Sequence, residues 1–427
     1  MIPWTAPVAT APVRGHLAVP GSKSASARSL VLAALAAGPS VLTGVLDSRD
    51  TALMRAGLTA LGTGFAERPD GGIAVTPAAA LHGGGTVDVG LAGTVLRFLP
   101  PVAVLAAEPT RFVGDQAAAA RPVAGLLDAL AALGATVSEP RALPFSVAGG
   151  TSVRGGAVAV DASATSQFVS ALLLAGARFA DGVTVAHVGA SLPSVPHIEM
   201  TCTLLRRRGV VVERPAAHTW RVLPGPIAPL DEVVEPDLTN AATLLAAAMV
   251  TGGELTTAWP QVSVQAADEL LEVLAAFGAR VVYRDGAAGR MVTVSAPGGV
   301  HGADVDLHDV SELTPAAAAL AAVAEGPSRL RGVAHIRGHE TDRLAALASG
   351  LSGLGPQVAE LADGLEIVPR PRHGGPFATH ADHRLAHAAA LVGLVTPGVE
   401  LDDVGCTTKT LPDFPGLWTG LLAGDAA

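Results

Sequence analysis

Lysine is nearly missing from this 427-residue chain: of its 28 basic side chains only Lys23 and Lys409 are lysines, and all others are arginines. Arginine therefore stands wherever a solvated positive charge would do, and the two lysines mark places where a guanidinium does not serve. An ε-ammonium is a compact point charge with three donors, whereas a guanidinium is a flat, permanently charged fork. Both lysines lie in short polar stretches ahead of an expected helix, Gly21-Ser22-Lys23-Ser24 and Cys406-Thr407-Thr408-Lys409-Thr410. That setting points to a grip on phosphate or carboxylate.

Other scarcities exclude whole classes. Cysteine occurs twice, at Cys202 and Cys406, which rules out a disulfide framework and fits a reducing cytoplasm. The composition is 49% hydrophobic with mean hydropathy +0.44, yet the apolar runs at 98–107, 241–250 and 315–324 each reach only ten residues. A bilayer span needs about 20, so these runs read as buried helices and no membrane partner is expected. The opening Met1-Ile2-Pro3-Trp4-Thr5 has neither a basic segment nor an apolar one, so the expectation is a cytoplasmic protein without an export signal. Net charge is −10, and nucleic-acid binding needs a basic face, so nucleic acid is excluded as a partner. An acidic protein that binds anions has to gather its positive charge in one place.

What the chain has in abundance is repetition. Six times an alanine-rich helix runs into a short turn and a β-like stretch. Pro39, Pro109, Gly182, Gly253, Gly326 and Gly398 mark the turns, at spacings of 70, 73, 71, 73 and 72 residues. Alternating stretches such as Val183-Thr184-Val185-Ala186-His187-Val188 and Arg329-Leu330-Arg331-Gly332-Val333 follow them and read as strands. A second helix then closes near Gly62, Gly134, Gly209, Gly278, Gly355 and Gly424, since glycine just past a helix is the usual stop. The unit is strand–helix–strand–helix–strand–strand, repeated over the whole chain. The sixth repeat ends without terminal strands, and residues 10–17 are placed to supply them. The expected division is one lobe at 20–235 and another at 1–19 plus 236–427, with a hinge at 234–237.

Polar residues gather at helix starts. The first helices open at Gly21-Ser22-Lys23, Gly93-Thr94, Thr165-Ser166-Gln167, Asp237-Leu238-Thr239-Asn240, Ser311-Glu312 and Asp382-His383-Arg384. The second helices include openings at Asp47-Ser48-Arg49-Asp50, Arg121-Pro122, Ser194-Val195-Pro196-His197 and His339-Glu340-Thr341-Asp342-Arg343. Ser, Thr, Asp and Asn cap helices in any protein. Capping does not call for Lys23, Arg28, Arg97, Arg121, Arg343, Arg384 and Lys409, because a helix N-terminus already carries about +0.5 of dipole charge. Repeating that repulsion makes sense where anions come to sit, and helix tips converging on one cleft would focus a positive potential.

Alternative motifs are weaker. Gly-Ser-Lys-Ser resembles a phosphate-binding loop but lacks the upstream glycine. His383 and His387 stand four apart as on a zinc-binding helix, but no Glu follows His383, and no metal site is expected. Neither a dinucleotide fingerprint nor a Gly-x-Ser-x-Gly elbow occurs.

Taken together and in order, these residues resemble the 5-enolpyruvylshikimate-3-phosphate synthases within the enolpyruvyl transferase family. The resemblance is carried by Pro20-Gly21-Ser22-Lys23-Ser24 with Arg28, Ala92-Gly93-Thr94 with Arg97, Arg121-Pro122, Ser166-Gln167-Phe168, Glu340-Thr341-Asp342-Arg343, Asp382-His383-Arg384, and Lys409-Thr410 with Pro412-Asp413. It implies an α/β fold of two similar domains, each of three βαβαββ units. It implies a reaction joining phosphoenolpyruvate to the 5-hydroxyl of shikimate 3-phosphate, with phosphate released through a tetrahedral intermediate and no cofactor. Carried over by position, Glu312 takes the hydroxyl proton, while Lys23 and Glu340 move protons at the methylene. Shikimate 3-phosphate is expected on Lys23, Ser24, Arg28, Thr165, Ser166, Gln167, Ser194, Glu312 and His339, mainly in the first lobe. Phosphoenolpyruvate is expected on Lys23, Gly93, Arg121, Gln167, Arg343, Arg384 and Lys409. A monomer is expected.

Departures from the family pattern are informative. His339 stands where Lys is common, exchanging a fixed charge for a titratable one. His335 and Leu91 replace asparagines, His197 replaces a tyrosine, and Phe98 replaces a proline. An aromatic at 98, so near the phosphoenolpyruvate pocket, is expected to loosen binding of the inhibitor glyphosate. The nearest rival is the sister enzyme acting on UDP-N-acetylglucosamine, which relies on a cysteine near the Arg121 region, and residues 115–120 contain none. An inactive anion-binding repeat protein would be expected to lack Lys23, Glu312 or Glu340, and all three are present.

Overall fold

Six closing glycines set the rhythm of the fold. Gly62, Gly134, Gly209, Gly278, Gly355 and Gly424 all have φ between 75° and 116°, the left-handed region that stops a helix and that residues with a Cβ rarely adopt. The computed structural model describes residues 1–286 and 289–424; residues 425–427, at the end of the expected second lobe, lie outside the described residues. The chain forms two compact units, Gly21–Glu235 and Met1–Pro20 with Pro236–Ala427.

The first unit carries α1 (Lys23–Leu35), α2 (Arg49–Ala60), α3 (Gly93–Ala103), α4 (Ala124–Ala132), α5 (Gln167–Gly176) and α6 (Val195–Arg207). Its odd-numbered helices are buried on nearly every side; every residue of α3 is buried, and so is every residue of α1 from Ala25 onward. These three pack against one another in the middle of the unit. The even-numbered helices bury one face only; α2 turns Met54, Gly57 and Leu58 inward. The second unit repeats the plan with α7 (Leu238–Thr251), α8 (Ala267–Ala276), α9 (Thr314–Val323), α10 (Arg343–Ser352), α11 (His383–Gly393) and α12 (Phe414–Ala423). Its apolar trio is α7, α9 and α11. High mean hydropathy thus reflects six buried helices, and no helix among the described residues is long and apolar enough to cross a membrane.

Each repeat builds one small sheet in a fixed order. In the second repeat Thr86–Asp88 runs parallel to Thr110–Val113, which pairs antiparallel with Phe145–Ala148 and through it with Thr136–Val137. The third and fifth repeats share this order. Chain continuity disturbs the other three. Glu232–Val233, at the end of the first unit, returns to lie parallel to Ser40–Thr43 and completes the first repeat. The chain then enters α7 directly at Leu238, leaving the fourth repeat without a leading strand, and Arg14–Leu17 fills that place parallel to Glu254–Ala258. The sixth sheet, Gly375–Phe377 beside Val399–Leu401, takes Trp4–Thr5 as its antiparallel strand. Residues 10–17 were expected to complete the sixth repeat. The structure gives that role to residues 4–5, because the vacancy nearer to 14–17 in pairing terms is the parallel edge of the fourth sheet.

The returning strand at Glu232 is held by a buried ion pair. Arg208, wholly buried, reaches Glu232 Oε2 at 3.1 Å and also donates to Ser40 Oγ and the Ala228 carbonyl. Removing one member of such a pair strands the other in a low dielectric. Arg208→Met is expected to destabilise the first unit by about 3 kcal/mol, and adding Glu232→Gln should recover part of the loss. Thermal and urea unfolding of the single and double variants check this; equal losses in both would show that packing, not charge, is at stake.

Candidate active site

In the first unit Ser22 caps α1, its Oγ accepting from the Ala25 N–H at 3.4 Å, so the helix begins at Lys23 with Ser24 next. Arg28 follows one turn later and points inward. Its Nε donates to Thr201 Oγ1 at 2.7 Å, Nη1 to the Ser24 carbonyl at 2.8 Å, and Nη2 to the His197 carbonyl at 3.0 Å and Ser170 Oγ at 3.4 Å. Four of its five donors are thus engaged, three of them tying α1 to α5 and α6. Burial pulls its pKa down to about 9, which still leaves it charged at neutral pH. Its guanidinium lies 5.0 Å from the centroid of the Phe98 ring. Phe98 is itself fully buried and forms no exposed aromatic wall.

Around the start of α3 the backbone is bare. The cap residue is Ala92, which offers no side-chain acceptor, and Gly93 follows. A Cβ on Gly93 would sit 2.9 Å from Arg97 Nη1 and 3.0 Å from Arg121 Cζ and Nη1, so the absent side chain is what lets two guanidiniums lie against the helix tip. Arg97 donates to Gln167 Oε1 at 2.9 Å and to the Pro122 carbonyl; Arg121 donates to the Leu91 carbonyl at 2.9 Å, and its Nε is buried without an acceptor. Gly93, Arg97, Arg121 and Gln167 therefore form one group. Among the described residues no carboxylate pairs with Arg28 or Arg121, so this charge stands uncompensated. Nearby helix starts show the same openness. Thr165 Oγ1 accepts the Gln167 N–H at 3.2 Å, Ser166 is buried, and Ser194 opens α6 with φ +52°, a costly conformation for a non-glycine residue.

The second unit holds a denser group. Arg343, the first residue of α10, is fully buried and surrounded by carboxylates. Its Nε donates to Asp382 Oδ2 at 2.6 Å and its Nη2 to Asp382 Oδ1 at 3.2 Å and Glu340 Oε2 at 2.9 Å. Its Nη1 donates to Glu312 Oε2 at 2.9 Å and faces His339 Nδ1 at 3.0 Å. Arg384 Nε lies 2.5 Å from Glu312 Oε2, and Lys409 Nζ donates to Glu340 Oε1. Three cations, Arg343, Arg384 and Lys409, thus meet three carboxylates, Glu312, Glu340 and Asp382, and the group is balanced. Glu312 and Lys409 sit on short 3-10 turns, Ser311–Leu313 and Gly405–Lys409, and not on α-helix tips.

Protonation follows from this geometry. Burial pushes the Glu312 carboxyl up, but Arg343 and Arg384 overcome that and hold it well below the usual carboxylate range. Burial lowers His339 to about 3, so its ring is neutral, and the Arg343 donor makes Nδ1 the acceptor nitrogen. The expectation of a titratable charge at 339 is corrected: a neutral ring replaces lysine there, because burial outweighs the pull of Glu312. His339 continues into a row of rings, with His335 at 5.9 Å and His308 at 6.1 Å beyond it. Sequence reasoning missed this row and gave Asp382 no role. The only sequence signal for Asp382 is its place just before α11, where capping explains it equally well. Among the described residues no three His, Cys, Asp or Glu side chains form a group that could hold a metal ion, and the ring of His387 packs against Phe414 at 4.8 Å.

The model of the family described as EPSP synthase (3-phosphoshikimate 1-carboxyvinyltransferase) matches residues 8–418. A 3-phosphoshikimate 1-carboxyvinyltransferase of Mycobacterium ulcerans (strain Agy99) is 51% identical, with 99% of each chain covered. The chain belongs to the EPSP synthase family. Among solved structures, an EPSP synthase from Acinetobacter baumannii superimposes with TM-score 0.80 at 23% identity, over 99% of this chain and 97% of that one. The enolpyruvyl transferase NikO from Streptomyces tendae gives 0.78 at 20% identity, over 98% and 97%. At such identities these two speak for the fold, which is the two-domain α/β architecture expected for an EPSP synthase.

Histidines whose protonation burial disfavours are expected to make this family member sensitive to acid. His335 is lowered to about 4 by burial and His308; His339 and His387 are lowered to about 3, chiefly by burial. Unfolded histidine titrates near 6.5, so between that pH and about 4 the unfolded chain binds more protons and stability falls as pH falls. Glu312, with its lowered folded pKa, adds a loss in the same direction below about 4.5. Both ring nitrogens of His387 are buried without partners. His387→Leu is therefore expected to raise the thermal midpoint at pH 5 relative to the parent and to flatten its fall between pH 6.5 and 4.5. Parallel pH curves for the two proteins would contradict this.

Proposed function

We propose a division of labour for the family's reaction, in which the enolpyruvyl group of phosphoenolpyruvate is transferred to the 5-hydroxyl of shikimate 3-phosphate and phosphate is released. The chain is an enolpyruvyl transferase of the shikimate pathway, and the residue roles are our reading. The observation that carries it is the balanced group of Glu312, Arg343, Glu340, Arg384 and Lys409 in a chain 51% identical to a 3-phosphoshikimate 1-carboxyvinyltransferase.

The hydroxyl has to lose a proton, the methylene has to gain one and later return it, and the C–O bond to phosphate has to break. Two phosphates near −1.5 to −2 each and two carboxylates bring roughly five negative charges. Lys23, Gly93, Arg121, Gln167, Arg343, Arg384 and Lys409 take phosphoenolpyruvate. Arg121 offers an unpartnered donor beside the bare tip of α3, which suits an anion. Lys23, Ser24, Arg28, Thr165, Ser166, Gln167, Ser194, Glu312 and His339 take shikimate 3-phosphate. Arg28 acts mostly by holding its neighbours, since one donor remains to it.

Glu312 removes the 5-hydroxyl proton, and Glu340 with Lys23 serves the methylene. As it stands Glu312 is a poor base, because Arg343 and Arg384 hold its carboxyl low. An anion that draws on those two guanidiniums weakens their hold and raises the basicity of Glu312 when substrate is bound. The same exchange frees Glu340 from Lys409 and Arg343.

With phosphoenolpyruvate and shikimate 3-phosphate the protein should release inorganic phosphate continuously, and with UDP-N-acetylglucosamine as acceptor it should release none. Glu312→Gln is expected to lower kcat by about 10²-fold or more, the usual contribution of a positioned general base, with little change in the KM for phosphoenolpyruvate. Release with the nucleotide sugar alone would reassign the acceptor. Full activity in the Glu312→Gln variant would reassign the base.

A further inference from the structure

We infer that Asp382 is a positioning residue of this reaction: presented by a strained turn, it orients both arginines that face Glu312. The inference rests on the reading of Glu312 and Glu340 as reacting groups.

Asp382 is completely buried, and each of its oxygens is engaged. Oδ2 accepts from Arg343 Nε at 2.6 Å and Oδ1 from Arg343 Nη2 at 3.2 Å, a two-point grip that fixes the guanidinium plane. With the plane fixed, the remaining N–H bonds of Arg343 aim at Glu312 Oε2 and Glu340 Oε2, each at 2.9 Å. Oδ1 also accepts the backbone N–H of Arg384 at 2.9 Å, which anchors the start of α11 and sends the Arg384 side chain to the same Glu312 oxygen. One carboxylate thereby sets two guanidiniums on one oxygen.

The turn before it is a separate observation. His380 and Ala381 have φ +52° and +56°, two consecutive residues with a Cβ in the left-handed region. Such strain persists where the surroundings over-determine it and gathers at functional sites. Here Thr379 is fully buried and gives both its N–H and its hydroxyl to Asp402 Oδ1, at 2.8 and 2.7 Å, while Asp382 N–H donates back to the Thr379 carbonyl at 2.8 Å. The chain could have presented a simple helix cap without this turn. What the turn adds is the depth at which Asp382 meets Arg343.

The test compares parent, Asp382→Asn and Asp402→Asn in steady-state kinetics with both substrates, from pH 4.5 to 8. Asp382→Asn is expected to lower kcat at least tenfold while the KM for shikimate 3-phosphate stays within about twofold. The groups facing Glu312 are Arg343, Arg384, His339 and Glu340, and misaligning the two arginines releases the carboxyl upward. The acidic limb of kcat/KM, which reports the free enzyme, should therefore move to higher pH relative to the parent, a displacement that simple loss of folded protein does not produce; substrate ionisation is common to all variants. Should Asp382→Asn fail to fold, Asp402→Asn decides, because Asp402 is exposed and touches neither arginine; it should lower kcat several-fold with the same upward displacement. A folded Asp382→Asn with parental kcat and parental acidic limb overturns the inference, as does an unshifted Asp402→Asn when Asp382→Asn does not fold. Glu312→Gln run alongside separates the two readings, since parental activity there would sink the role of Glu312 and not the geometry of Asp382.

Discussion

A guanidinium with almost no exposure needs acceptors around it, and Arg343 finds them on three carboxylates: Asp382, Glu312 and Glu340. Burial works against its charge, and the three carboxylates more than reverse that, raising its pKa well above the usual range. These partners come from different places in the chain: the turn before α9, the residues just ahead of α10 and the cap of α11. The constellation therefore exists only if α9, α10 and α11 hold their mutual positions to within a few tenths of an ångström. Alanine and glycine supply that accuracy. α9 is Thr-Pro-Ala-Ala-Ala-Ala-Leu-Ala-Ala-Val, α11 carries four alanines, and both pack closely together. At Gly393 a Cβ would meet that of Ala6 at 2.4 Å, so the same economy of side chains lets the N-terminal residues close over α11. The composition that made the chain look too hydrophobic is what allows a charged group to be built accurately inside it.

The two units treat positive charge in opposite ways. In the first, Arg28 and Arg121 donate to carbonyls and hydroxyls, and no carboxylate pairs with them. In the second, each cation of the group already has a carboxylate. On the roles proposed above, an incoming anion would gain attraction directly in the first case, whereas in the second it would exchange places with Glu312 or Glu340. Exchange is the more useful arrangement for proton transfer, because a carboxylate held down by two guanidiniums becomes a better base as they are drawn away. It also keeps the empty protein from burying unpaired charge. The guanidiniums of Arg97 and Arg121 at the tip of α3 donate to amide and backbone oxygens, and Gly93 gives them room.

Periodicity and punctuation made most of the architecture legible. A repeat near 72 residues, with glycine after each second helix, is a backbone signal that owes nothing to tertiary context, and all six glycines adopt the conformation that makes them necessary. The leading strands of the first and fourth sheets and the antiparallel strand of the sixth were less legible, since pairing of Glu232 with Leu42 spans most of a unit and that of Trp4 with Leu401 nearly the whole chain, and neither leaves a local trace. In the site, charged residues at helix starts stood out because capping does not explain arginine or lysine there. Asp382 did not stand out, for the reverse reason: a residue that caps a helix and also grips a buried arginine looks in sequence like a cap. The neutrality of His339 was likewise out of reach, as it depends on how deeply the ring is buried beside Glu312.

The scarcity of lysine acquires a physical reading in the same group. Arg343 serves Asp382, Glu312 and Glu340 at once, and faces His339, through donors splayed in one plane, which only a guanidinium provides. Arg384 approaches the same Glu312 oxygen through its Nε alone. Lys409 meets a single oxygen of Glu340 end-on, at the tip of a short turn where a fork would have to be accommodated between Glu340 and its neighbours. A compact ammonium can leave that oxygen for a phosphate by a small rotation of its stem, without disturbing a plane of other hydrogen bonds. Within this group arginine holds several partners at once, and lysine makes a single contact.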